Sequence, residues 1–277
     1  MLALLALHAL VACTTVRPSA STSADADAAP PPEVEPPIRE ALDVPRPTGE
    51  IGALVPWMPA SAWTGKGIPP KQFSLFAVPS GSPVLGYAAL GRDACEAELG
   101  KRSIPFARAE DVAGVRAPIR LTGPAHDVAF HSMLPPAQRA KSRLELIDCR
   151  LALALDDFGK ALAARGITEV IHLSAYRSKN ESGCTVKYPG EQHCAALALD
   201  IATFVKRDGT KLVVERDWHG KIGSLTCATH PPPNELWAIA CEAAGKQFQV
   251  LLTPNWNAEH KNHMHVELTV HDWVLAR

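Results

Sequence analysis

The chain has 277 residues, of which 47% are hydrophobic and 21% charged, enough apolar content for a substantial core in one or two domains. A formal net charge of −1 excludes an electrostatic nucleic-acid binder, and no polybasic run marks a membrane surface patch.

Residues 1–12 form an apolar run far shorter than the roughly 20 residues of a spanning helix. The run resembles the h-region of a secretory signal peptide, although no Lys or Arg precedes it. Leu10-Val11-Ala12-Cys13 also resembles a bacterial lipobox. It implies cleavage before Cys13, lipidation of that cysteine, and an outer-membrane lipoprotein at the periplasmic face; an ordinary secretory signal is the alternative. Residues 13–50 are Ser/Thr/Ala/Asp-rich and then Pro-rich, too poor in apolar groups to offset ordering entropy. They predict a disordered tether, partly polyproline II, with a reach on the order of 100 Å when extended. Residues 51–72, with Trp57 and Trp63 among prolines and glycines, predict an irregular arm, and the folded domain spans 73–277.

With Cys13 set aside, Cys95, Cys149, Cys184, Cys194, Cys227 and Cys241 remain. An even count in an exported chain predicts disulfides, and proximity favours Cys95–Cys149, Cys184–Cys194 and Cys227–Cys241. Cys194 as a metal thiolate beside His193 is the competing reading, with no Cys-x-x-Cys pattern to accompany it.

Strands are predicted at Pro118–Leu121 and Val128–His131, separated by the turn Gly123-Pro124. Leu144–Arg165 predicts a helix, because Leu144, Ile147, Leu151, Leu155, Phe158 and Leu162 recur at helical spacing and Gly166 follows. Asp148, Arg150, Asp156, Asp157 and Lys160 fall off that stripe and predict a solvated face. Next come a strand at Thr168–Tyr176, a polar loop, and a hairpin of Ala196–Phe204 with Thr210–Val214. A helix at Asn234–Gly245 follows, capped by Asn234, and then an apolar run, Val250–Leu252.

The last predicted strand, Asn262–Leu268, places His263 and His265 on one face, with Cα atoms about 6–7 Å apart. Met264, Val266 and Leu268 take the other face. Upstream, the apolar run Glu191–Ile201 carries His193 at its entrance and Asp200 inside. Singly these are ordinary loop, turn and strand residues. Together His193, Asp200 and His265 form a three-ligand zinc set with a fourth position open, and His263 lies beside it as the catalytic group. Arg177, at a strand exit, suits either a donor to a developing oxyanion or a clamp on a substrate carboxylate. Tyr176 and His260 are placed to touch substrate or support a ligand, and Glu267 shares the face of His265 and would orient its ring. His126, His131, His172, His219, His230 and His271 are read as ordinary residues.

Ser174-Ala175-Tyr176-Arg177-Ser178, then His193 to Asp200, then Pro254-x-x-Asn257-x-x-His260-x-x-His263-x-His265, resembles the bacterial extensin-like C-terminal domain family. More broadly it resembles the LAS metallopeptidases, which include lysostaphin, D-alanyl-D-alanine metallopeptidases and the hedgehog signalling domain. The resemblance implies an α+β fold with a small central antiparallel sheet and flanking helices, zinc on the three ligands, and cleavage of peptide bonds in peptidoglycan. Its implied partners are peptidoglycan peptide stems, with the membrane reached through the lipid anchor only, no nucleic acid, and a monomeric state. The alternative is a zinc-stabilised wall-binding module without turnover. Two positions depart from the pattern: Ala196 where relatives carry Gly, and Gln192 where they carry Ser or Glu.

Overall fold

A computed structural model describes residues 74–77, 82–178, 181, 184, 192–227, 232–243, 246–269 and 273–276, all within the unit Gly49–Arg277. The predicted signal run, Cys13 with its tether, the irregular arm, His230 and His271 lie outside the described residues, as does most of the polar loop 179–192.

In chain order the elements are β1 (Ser74–Ala77), α1 (Val84–Ala89), α2 (Arg92–Lys101), β2 (Phe106–Arg108), β3 (Pro118–Leu121), β4 (Ala129–Ser132) and α3 (Pro136–Arg139). Then follow β5 (Ile147–Asp148), α4 (Cys149–Ala164), β6 (Ile167–Ser174), β7 (Ala198–Lys206), β8 (Lys211–Val213) and α5 (Val214–Asp217). The series ends with α6 (Glu235–Ala243), β9 (Val250–Leu252), β10 (Met264–Glu267) and β11 (Trp273–Ala276). The main sheet runs β1-β11-β9-β10-β7-β6-β4, with β8 hydrogen-bonded to β7, and β2-β3-β5 form a small second sheet. Pairing in the main sheet is antiparallel except at β4–β6 and β9–β11. This is the α+β architecture expected from the sequence, and its three disulfides are Cys95–Cys149, Cys184–Cys194 and Cys227–Cys241.

The centre of the sheet follows from composition. β7 has neighbours on both edges and is buried along most of its length, so it reads as a continuous apolar run rather than an alternation. Helix α4 packs on β6 and is flanked by α1 and α2. Phe158 of α4 meets Phe204 and Phe248 edge-on, at 6.4 and 5.4 Å between ring centroids. Each fully buried Leu or Phe of this helix contributes about 1.5–3 kcal/mol of transfer free energy.

Two expectations are corrected here. Helix α4 starts at Cys149, not Leu144, because Asp148 holds an extended backbone (φ −77°, ψ 142°) and caps the helix by accepting from Arg150 N–H. The residues before it form a short 3-10 turn, Arg143–Glu145, and strand β5, whose apolar side chains extend the helical spacing by coincidence. Nor is the polar face of α4 solvated throughout. Asp148, Arg150 and Asp156 are buried, because α1, α2 and β3 cover that side. The stop at Gly166 is as expected, with its backbone left-handed at φ +76°.

Candidate metal centre

Three neighbouring segments of the sheet build the site. In the antiparallel pairing of β7 with β10, His265 lies directly opposite Asp200, so both side chains leave the same face. On the other edge of β7, Ser174 of β6 is also in register with Asp200. His193 comes from the 3-10 turn Gln192–Ala195 just before β7. Backbone bonds hold that turn on several sides: Arg177 N–H donates to His193 O (3.2 Å), Ala196 N–H to His193 O (3.0 Å), and Asp148 N–H to Ala196 O (2.9 Å). The chain reverses at Ala196, which is left-handed with φ +53°. Glycine would adopt this conformation without strain, whereas Ala carries a cost here of roughly 1–2 kcal/mol.

His193, Asp200 and His265 are all buried, and one ligand atom from each lies within 4.8 Å of the others. Asp200 Oδ1 is 3.2 Å from His193 Nε2 and 3.0 Å from His265 Nδ1. Both separations meet the 3–4 Å expected for tetrahedral ligands; the set as a whole is looser.

The chemistry of these atoms fits a cation. His193 Nδ1 lies 2.5 Å from the Ala175 carbonyl oxygen and must donate to it. His265 Nε2 lies 3.0 Å from Glu267 Oε2 and donates to that carboxylate. The inner nitrogens of two neutral rings would then point lone pairs at a carboxylate oxygen. Only a shared cation, whether added protons or a metal ion, reconciles such an arrangement. Outer nitrogens tied to a carbonyl and a carboxylate are also how metal-bound imidazoles are held. Without a metal, burial pushes Asp200 up, but His193 and His265 outweigh it and hold the carboxyl well below its usual range. Burial lowers His265, yet its bonds to Asp200 and Glu267 prevail and raise it to about 9.

His263 precedes β10 rather than lying within it, and its Nε2 is still 3.4 Å from Asp200 Oδ1. Burial pushes it down to about 4, so the ring is neutral at pH 7. His260 stacks obliquely on His263, with ring centroids 4.9 Å apart, and burial lowers it to about 3. Its tautomer is determined by Asn257, whose Oδ1 accepts from Glu259 N–H and His260 N–H. That oxygen therefore also accepts from His260 Nδ1, at 2.8 Å. Arg177 donates from Nε and Nη2 to Ser174 Oγ (3.1 and 3.0 Å) and from Nη2 to Asp200 Oδ2. It thus braces the outer oxygen of the ligand carboxylate while keeping 27% side-chain exposure at the rim. Tyr176 is half-buried next to it.

Cys194 is corrected as a ligand candidate, since its sulfur is bonded to Cys184. Ser174, which donates to Asp200 Oδ2 at 2.7 Å, and Asn257 were not anticipated as site residues. Signals for both exist: Ser174 lies three residues before Arg177 on a strand end, and Asn257 stands at a cap position three before His260. Among the described residues, no helix is long and apolar enough to cross a membrane.

Neither a curated protein nor a solved structure matches the chain. The family model for the extensin-like protein C-terminus matches residues 93–277. That span is well over half of the chain and carries both ligand-bearing segments and Arg177, and on this match the protein belongs to the extensin-like protein C-terminus family.

Proposed function

We propose that this domain is a zinc-dependent peptidase of the LAS type, hydrolysing peptide bonds of peptidoglycan stems in the bacterial cell envelope as an endopeptidase or carboxypeptidase. The observation that carries the reading is the convergence of His193, Asp200 and His265, the outer nitrogens of both rings tied, with a third, neutral imidazole at the edge. A bound zinc ion would supply Lewis-acid polarisation of the scissile carbonyl and a more acidic water. The chain's own groups do the rest. His263 Nε2 accepts a proton from the attacking water and returns it to the leaving amine, a role open to it because the uncharged ring keeps a lone pair free to accept. Arg177 holds Asp200 in place, and its partly exposed guanidinium offers positive charge to the oxyanion as it forms. The predicted signal run, lipidated Cys13 and tether would present the domain to the wall from the outer membrane.

A second reading is favoured by one distance. His263 Nε2 is nearly as close to Asp200 Oδ1 as the two ligand nitrogens are. As a fourth ligand it would close the site, and closed four-ligand sites are structural. The domain would then be a zinc-stabilised wall-binding module. Digestion of purified muropeptides with and without chelator tests the first reading. Released peptides that vanish on chelation and return with zinc support it; no release under any metal condition overturns it.

A further inference from the structure

Glu267 is wholly buried in β10, and its role extends beyond one ring. Its Oε2 accepts from His265 Nε2 at 3.0 Å and also from the backbone N–H of Gln192 at 3.1 Å. Gln192 opens the 3-10 turn that carries His193. One carboxylate oxygen therefore joins the two segments that deliver the histidine ligands, which are 72 positions apart along the chain (His193 to His265). Its second oxygen, Oε1, is buried and has no hydrogen-bond partner among the described residues. A neutral glutamine would accept the same two N–H groups through its own oxygen, so hydrogen bonding alone does not require a charge here. Burying a carboxylate with one oxygen unpartnered is unfavourable unless a cation nearby offsets it. The cation that His265 would share with Asp200 lies across the ring whose other nitrogen Glu267 holds.

We propose that Glu267 is the positioning residue that assembles the metal centre: it latches the His193 turn to the His265 strand, selects Nδ1 of His265 as the inward nitrogen, and supplies negative charge behind the site. This rests on the metal-centre reading above and adds to it a determinant of affinity outside the ligand set. Two losses are separable. Glu267→Gln keeps the acceptor and removes the charge; Glu267→Ala removes both.

The test compares full-length wild type, Glu267→Gln and Glu267→Ala for zinc affinity, by competition with a chromogenic chelator, and for the visible spectrum of the cobalt-substituted proteins. Folding of each metal-free protein is checked by thermal melting. Glu267→Ala is expected to weaken zinc binding about 10–100-fold and to alter the cobalt spectrum. Glu267→Gln is expected to restore the wild-type spectrum with an intermediate affinity, which a general packing defect would not produce. A Glu267→Ala protein that binds zinc within threefold of wild type, or a Glu267→Gln protein as impaired as Glu267→Ala, overturns the proposal. Wild-type protein that binds no metal overturns the metal centre itself, a different and distinguishable failure.

Discussion

Two buried aspartates in this domain have opposite surroundings. Asp148, fully buried at the start of α4, accepts from the backbone N–H groups of Arg116 and Ala117 (3.1 Å each) and Arg150 (3.0 Å). The Arg150 guanidinium completes its shell at 2.7 and 3.0 Å. Every one of these partners is an obligate donor that cannot lose its hydrogen at any ordinary pH. Asp200, equally buried, has hydroxyl and guanidinium donors on one oxygen only, from Ser174 and Arg177. Its other oxygen faces the imidazole nitrogens of His193, His263 and His265, which are donors only when protonated. A carboxylate that serves stability is surrounded by hydrogens already in place. One that serves binding is left facing groups that only a cation can satisfy.

Exchanging the charge at each aspartate should break this comparison most forcefully. Asp200→Asn is expected to abolish zinc binding and any hydrolase activity while leaving a cooperatively folded protein, read by metal analysis and a thermal melt. Asp148→Ala should do the reverse. It strands Arg150 in the interior and is expected to cost about 3–5 kcal/mol in denaturant unfolding with zinc stoichiometry unchanged. Equal effects of the two changes on stability and on zinc would erase the distinction.

A milder perturbation is His263→Ala. An enzyme should keep its zinc and lose roughly 10²–10⁴-fold in rate, whereas a four-ligand binding module should lose zinc affinity instead. Substrate turnover and metal titration on the same sample separate the two.

Acid titration sharpens the contrast between histidines near Asp200 and those tied to the fold. His172 on β6 is buried, 3.8 Å from Glu145, with Nδ1 unpartnered among the described residues, and burial pushes it down to about 3. Between pH 6.5, near which an unfolded histidine titrates, and about 3, the unfolded chain binds a proton here that the native state does not. Stability therefore falls as pH drops through that window, by about 1.4 kcal/mol per pH unit for this group. His172→Phe should flatten the slope by that amount in urea unfolding of metal-free protein; an unchanged slope would show that the ring is protonated in the native state.

The smallest expected effect is at the turn between His193 and β7. Ala196→Gly relieves the left-handed backbone but gives up the burial of one methyl group. The net is a gain of about 0.5–1 kcal/mol in unfolding free energy. A loss instead would mean that the methyl contact outweighs the backbone term.

Much of the site was legible because its chemistry is rare and its order along the chain is informative. Two imidazoles and a carboxylate on strand-like runs pointed to a metal set, and the structure brings those three together. The disulfide pairs were readable because each joins cysteines that are neighbours in chain order, and the cap at Asn234 from its residue type, since its Oδ1 accepts Trp237 N–H. Short elements were not. Helices α1 and α2 and strands β1, β2, β5 and β11 were not foreseen, since most are two to six residues long and carry little periodicity. The start of α4 was misjudged because Leu144 and Ile147 happen to continue its spacing while belonging to a turn and a strand.

What the chain alone determined is which side chains are capable of holding a cation: residue identity sets donor type, and alternation along a strand sets which side chains share a face. Tertiary structure decided how they are held. The register that sets His265 across from Asp200, the carbonyl of Ala175 behind His193, and the shared hold of Glu267 on two segments all join residues far apart in sequence. Such contacts arise when separate strands align and exclude water, and local propensity carries no record of that alignment.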